Sequence, residues 1–209
     1  LFTILAISIW MAGSLPLPAW GVSLMDAREE TTFIHLVGYV IVLGLMVATA
    51  GTNVGHELTH RKRNRFDMFM GNWLLALTWD CSFAIEHVYG HHKYVATSID
   101  PATAKRGQNP YNFILRAIFL NQRNAWIIEN SRLIKKGLRP LSIQNRMLIG
   151  YARSGILTGA AYLLAGWTGV ILFLLISIGG KVVLEGVNYM EHYGLIREEG
   201  TPILPKHSW

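Results

Sequence analysis

One cysteine in 209 residues, Cys81, rules out a disulfide framework within the chain and any metal site built on several of its cysteines. Charge is scarce as well: 15% of residues are Asp, Glu, Lys or Arg, against about 25% in ordinary soluble domains. Acidic residues are the fewer, 13 against 19 Lys and Arg, for a formal net charge of +6. A basic balance raises nucleic-acid binding, but no motif with aromatics interleaved among the cations occurs, so no nucleic-acid partner is expected. In a membrane protein, Lys and Arg on cytoplasmic loops give the same sum. The hydrophobic content of 51% and mean hydropathy of +0.29 favour that reading, and the apolar runs decide it.

A spanning helix needs about 20 mostly apolar residues. Residues 1–20 fit, with Pro16 and Pro18 near the end of the run. Neither an initiator Met nor a basic region opens it, so it reads as transmembrane sequence rather than a signal peptide, and the chain is expected to be the central part of a longer protein. Residues 33–54 form the clearest span, with Gly38, Gly44 and Gly51 suited to close helix packing in lipid. Residues 148–165 and 167–187 are two more, joined by a tight turn at residues 166–169. Arg153 snorkels toward the nearer membrane face.

Orientation follows from charge. The basic stretch HELTHRKRNR, residues 56–65, faces the cytoplasm by the positive-inside rule, and the acidic stretch at residues 26–30 faces outward. Only residues 61–86, 26 in number, separate His60 from His87. Leaving the cytoplasm and returning takes about 40. Residues 68–85 are therefore expected at the interface or dipping in as a shallow helix. Residues 92–146, with Arg106, Arg116, Arg123, Arg132, Lys135, Lys136 and Arg139, read as a cytoplasmic excursion containing amphipathic helices. The expectation is an all-α integral membrane helical bundle with about four spans in one domain over residues 1–209, and a histidine-rich metal site on its cytoplasmic side.

The histidines arrive at one face by this topology. In GHELTHR, His56 and His60 are four apart, on one side of a helix and about a turn from each other, a bidentate clamp. The same residues spell HExxH, in which a zinc protease uses the Glu as general base, so HELTH alone leaves a membrane metalloprotease open. EHVYGHH adds His87, His91 and His92, three histidines in six residues, more than a protease site uses. On an α-helix His87 and His91 share a face and His92 lies about 100° round, while Gly90 lowers the bulk beside them. NYMEHYG adds His192, with Asn188 four before it and Glu185 on roughly the same face. Lys181, four before Glu185, is placed to pair with it.

Six neutral imidazoles suit two metal ions with positions left open for oxygen, and imidazole serves Fe, Zn, Cu and Ni alike. Glu57, Glu86, Asp100, Glu185, Asn188 and Glu191 are the candidates to hold the free ring N–H of a ligating histidine. Asp100, ahead of Pro101, also suits a helix or turn cap. His35 and His207 read as structural.

GHELTHR, EHVYGHHKYVATSIDPATA and NYMEHYGLIR, together with GQNPYNFILRAIFLNQRNAW, resemble the membrane alkane hydroxylases and the related xylene monooxygenase hydroxylase component, within the fatty-acid desaturase superfamily. The resemblance runs over about residues 33–209. It implies a six-helix fold in the bacterial inner membrane and two Fe ions held by His56, His60, His87, His91, His92 and His192. It also implies O2 as co-substrate and monooxygenation of a terminal or methyl C–H of an apolar hydrocarbon, with electrons from a rubredoxin or a ferredoxin-type reductase. The family carries a further HxxHH box after HYG and more transmembrane sequence upstream. Neither is present here, so further iron ligands and two N-terminal helices are expected outside these 209 residues. An aromatic-methyl monooxygenase and a fatty-acyl desaturase or hydroxylase remain the alternatives within the class. A zinc protease and a metal carrier without chemistry remain outside it.

Overall fold

The computed structural model describes residues 30–208; the first expected span and most of the acidic stretch lie outside the described residues. Helix α1, Phe33–His60, is interrupted by a π-helical segment over Val47–Asn53. Helix α2 covers Arg65–Ala76. Segment α3, residues 83–94, is α-helical over Phe83–Glu86, π-helical over His87–His91 and α-helical again over His92–Tyr94. Helix α4 runs over Pro110–Lys135. The helical stretch Arg146–His192 breaks at Ala165 and Gly166 into α5 (146–164) and α6 (167–192). A 3-10 turn, Pro205–His207, closes the described chain, and there is no strand among the described residues.

Three of these helices start on the same device. Asn64, Asn109 and Asn145 each turn a side-chain oxygen onto two backbone N–H groups of the first turn. That supplies donors which a helix start leaves without intrahelical partners. Pro110, with no N–H to satisfy, sits at the first position of α4.

The turn expected near Gly166 is a full reversal. Gly166 has φ +58°, in the left-handed region where glycine is at home. Ser154 Oγ on α5 donates to the Ala76 carbonyl at 3.1 Å, and Ser177 Oγ on α6 donates to the Leu77 carbonyl at 2.7 Å. Residues 154 and 177 would be about 35 Å apart on one straight helix, so α5 and α6 must run back along each other. Phe33–His60 and Arg146–His192 are long and apolar enough to cross a membrane, and the reversal makes the second into two arms. Their outer faces carry exposed Phe33, Ile34, Ile41, Val42, Ile171 and Ile178.

Small residues set the crossing of α1 with α6. A Cβ on Gly44 would lie 3.5 Å from the Gly179 backbone, and one on Gly180 would press on Thr78 Cγ2 at 2.7 Å. This is close packing of the kind lipid-embedded helices use. Gly51 has ordinary contacts with Val47 and Leu77, whereas Gly38 faces open space, so of the three glycines Gly44 sets the crossing.

Residues 68–85, expected at the interface or as a shallow helix, pack into the helical bundle. Leu75 and Ala76 are buried, and the turn after α2 lies between α5 and α6. Ser177 is fifteen residues before His192, about 22 Å along α6. Non-helical backbone buried inside the bundle needs partners, and the hydroxyls of Ser154 and Ser177 provide them. Asp80, in the same turn, accepts from Ser82 Oγ at 2.8 Å and pairs with Lys181 Nζ at 3.2 Å. Lys181 was expected to pair with Glu185; the turn after α2 delivers Asp80 to it instead.

The excursion over residues 92–146 is a loop followed by one long helix. Glu129 on α4 is fully buried and anchors that helix. It accepts from Arg132 at 2.6 Å, from the Arg146 guanidinium and from the Arg146 backbone N–H at 2.7 Å. Burial alone would raise the Glu129 carboxyl, but these hydrogen bonds hold it down at about 2.

Candidate metal centre

Six histidines from α1, α3 and α6 converge. His56, His60, His87 and His92 have ligating nitrogens that all lie within 4.8 Å of one another. His56 and His60 come from the last turn of α1, ring centroids 4.7 Å apart. His87 sits at the middle of the cluster, 4.3 Å from His56, 4.5 Å from His92 and 5.0 Å from His91, ring centre to ring centre. His91 then meets His192 at 4.8 Å.

The π turn makes this arrangement. With i→i+5 hydrogen bonding, residues five apart lie nearly one above the other. His87 and His92 therefore face each other, their Nε2 atoms 2.9 Å apart. An α-helical reading leaves His92 off to one side; the extra residue per turn returns it to the group and lets His91 reach α6. Gly90 leaves room in that turn for the Glu86 carboxyl, since a Cβ there would lie 2.5 Å from Glu86 Oε1.

The two wings have different surroundings. The tetrad of His56, His60, His87 and His92 has no carboxylate at hydrogen-bond distance among the described residues. Burial, reinforced by neighbouring histidines, pushes the His87 imidazolium far below its usual range and that of His92 down to about 4. Both rings are neutral at pH 7, the state in which an imidazole can ligate. A cleft of about 680 Å³ opens on His60 and His92 and is bordered by Arg61, Lys62, Arg63 and Asp67.

On the other wing His91 Nδ1 donates to Asp100 Oδ2 at 2.9 Å. Burial alone would lower His91, but the Asp100 hydrogen bond and charge raise it, and the same contact holds Asp100 below the carboxylate range. Asp100 also accepts from Thr103 Oγ1 at 2.5 Å and from the Ala102 backbone N–H at 3.1 Å. It caps its own turn and orients His91 together. His192 Nδ1 lies 3.4 Å from the His207 carbonyl. In both residues Nδ1 is engaged, which leaves Nε2 free for a ligand.

The model of the fatty acid desaturase family matches residues 31–209. The chain belongs to this family. It is 35% identical to alkane 1-monooxygenase 2 of Alcanivorax borkumensis over 83% of this chain and 46% of that protein. It is 36% identical to alkane 1-monooxygenase 1 of Pseudomonas aeruginosa over 87% and 47%, and 32% identical to the xylene/toluene monooxygenase hydroxylase component of Pseudomonas putida over 84% and 47%. The chain thus spans about half the length of the curated relatives it matches.

The remaining candidates of this family member divide by exposure. Glu57, the HExxH glutamate, has a side chain 67% exposed and lies 3.6 Å from Arg61, outside the cluster. The reason is helical phase: one residue past His56 points away from the face that His56 and His60 share. Glu191 is exposed too, 3.9 Å from His192 Nε2. Glu185 and Asn188 are buried, but Glu185 accepts from Asn121 at 3.0 Å and from Asn188 at 3.1 Å, so it ties α6 to α4. Glu86 is buried with Oε1 unpartnered, and burial pushes its carboxyl up to about 8, so it is mostly uncharged at pH 7.

Arg197 closes the NYMEHYGLIR motif, but no role for it was legible in the sequence. Its guanidinium donates to the carbonyls of Lys93, Val95 and Thr201, and its backbone N–H donates to the Ala96 carbonyl. It therefore braces the chain just after His91 and His92, where Ala96 holds φ +62°. An Arg three residues after NYMEHYG has no periodic signal; its proximity to residues 93–96 comes only from the fold.

Proposed function

We propose that this chain is the histidine-bearing core of a membrane monooxygenase that hydroxylates a terminal or methyl C–H bond of an apolar hydrocarbon with O2. The observation that supports it most is the convergence of six imidazoles, a tetrad joined through His87 to the His91–His192 pair. Six nitrogens in two adjoining groups suit two irons better than one zinc. His56, His60, His87 and His92 would hold one ion, and His91 and His192 would contribute to the other, with further ligands from the rest of the longer protein. Iron supplies the O2 and one-electron chemistry that these side chains lack. The protein's own part is to keep the imidazoles of His87 and His92 neutral, to fix the Nε2 atoms of His91 and His192 through Asp100 and the His207 carbonyl, and to surround the site with apolar helices through which a hydrocarbon can arrive from lipid.

The donor of electrons is a rubredoxin or a ferredoxin-type reductase in this reading. The cleft bordered by Arg61, Lys62 and Arg63 opens on His60 and His92 and suits an acidic carrier. By the positive-inside rule this face is cytoplasmic, in a multi-pass protein of the bacterial inner membrane. The position of Glu57 favours this reading over a zinc protease, which needs that carboxylate at the metal.

The test is metal analysis and turnover on the full-length protein. About two irons per chain and O2-dependent alcohol formation from an alkane are expected. One zinc per chain, or alcohol formation undiminished in His91→Ala, would sink the proposal.

A further inference from the structure

A second pocket lies at the end of α6, apart from the histidines. It has a volume of about 230 Å³ and lies between the loop 96–106, the start of α4 and residues 194–196. Lys105, Arg106 and Arg116 line it, and no Asp or Glu among the described residues does. Arg116 Nη1 is sealed from solvent yet has no hydrogen-bond partner among the described residues. A buried guanidinium N–H without an acceptor costs more than a made hydrogen bond returns, so this donor calls for an anion. The Ser98 hydroxyl at the same pocket has no intramolecular bond among the described residues, whereas Thr97 and Thr103 are engaged with Tyr94 and Asp100.

Exposed apolar side chains occur on the pocket wall and on α4, the helix that carries Arg116. Ile196, on its wall, is 86% exposed, and Tyr111, Leu115 and Phe119 on α4 are exposed one turn apart. Cations in a recess beside exposed apolar side chains, at the end of a helix long enough to cross a membrane, match a phospholipid: phosphate within, acyl chains alongside. A soluble anion would have no use for those apolar side chains.

We propose that the Arg116 pocket binds a phosphate group presented by an anionic lipid headgroup. Arg116 holds the phosphate oxygens from the buried side, and Lys105 and Arg106 close over it from the exposed side. Gly194, at φ +69°, lies two residues past His192 and donates to the Ala104 carbonyl at 2.8 Å, so the pocket wall joins the segment after the histidine cluster to the loop after Asp100.

The experiment is calorimetric titration of the full-length protein in neutral detergent with three probes: dihexanoyl phosphatidylglycerol, dihexanoyl phosphatidylcholine and inorganic phosphate. Phosphatidylglycerol is expected to bind at least about tenfold more tightly than either other probe, and Arg116→Gln to weaken it by about tenfold or more. Arg116→Lys, which keeps the charge and loses the planar fork, falls between. Lys105→Gln with Arg106→Gln, both exposed, gives a smaller loss in a protein whose interior is untouched. Equal binding of the two lipids overturns the proposal. So does unchanged binding in Arg116→Gln, as when an acid elsewhere in the longer protein already pairs with Arg116. Inorganic phosphate binding as tightly as phosphatidylglycerol overturns the lipid assignment.

Discussion

The two wings of the histidine cluster are built by different means. His56, His60, His87 and His92 are held by convergence: two helices bring four ligating nitrogens within 4.8 Å of one another, and no carboxylate among the described residues is at hand to turn them. His91 and His192 are held by hydrogen bonds, one to a buried carboxylate and one to a carbonyl. The tetrad opens on a basic cleft and the pair is buried. Where ring density fixes geometry, each ring is its neighbour's support. Where only two rings meet, an outer partner has to do it.

The largest effect is expected at the residue that belongs to both. His87 touches His56, His60, His91 and His92. His87→Ala in the full-length protein should remove more than about half of the bound iron and lower turnover by more than about 100-fold, beyond what losing an outer partner costs. Metal analysis beside product formation checks it. Loss confined to one ion would mean that the wings are independent.

Next comes Asp100→Asn. The amide keeps the shape but loses the charge that raises His91, so metal affinity should fall by about 10–100-fold with little change in fold. Competition with a chelator reads this directly. A variant that binds as wild type would erase the distinction between the wings.

How the wings divide was only partly legible in the sequence. The clamp in HELTH was, because i and i+4 on a helix fix it, and so was the reversal at Gly166, because apolar length and a glycine cluster mark it. The family was legible from three motifs read together. The π turn over His87–His91 was not: sequence periodicity assumes an α-helix, and packing decides whether a turn gains a residue. That one residue brings His92, which an α-helix places about 100° away, onto the side of His87. The Asp80–Lys181 pair and the Arg197 brace join residues about a hundred apart in the chain, and local spacing carries no trace of such contacts. Asp80 did leave a signal, an acid inside the semi-apolar LTWDCSF, where a charge at membrane depth implies a partner.

Acid should separate the wings in the metal-free protein. For His87 and His92 the folded values lie below 6.5, at about 4 for His92. Their contribution is present above 6.5 and is lost as pH falls through that window, because the unfolded chain takes protons first. His91 runs the other way: its folded value is raised, so its pairing with Asp100 stabilises fully below 6.5 and fades as pH rises through the raised value. The thermal midpoint should therefore drop from pH 7 to pH 4.5 and drop less in His92→Gln. In Asp100→Asn it should drop more steeply, since burial then lowers His91 as well. Parallel curves for all three proteins would show that the wings titrate alike.

The smallest effect is expected at Glu57, and there the comparison meets the protease alternative. Glu57 lies on the tetrad's own helix, between two of its histidines in sequence, yet its carboxylate is turned to Arg61 and solvent. An exposed pair at 3.6 Å contributes little to stability. Glu57→Gln should then leave iron content unchanged and alkane hydroxylation within about twofold of wild type, as expected for a surface ion pair. A general base in a zinc site behaves otherwise, since its removal costs about 100-fold or more. A loss of that size would mean that Glu57 turns inward when metal binds, and that the tetrad, like the pair, needs a carboxylate after all.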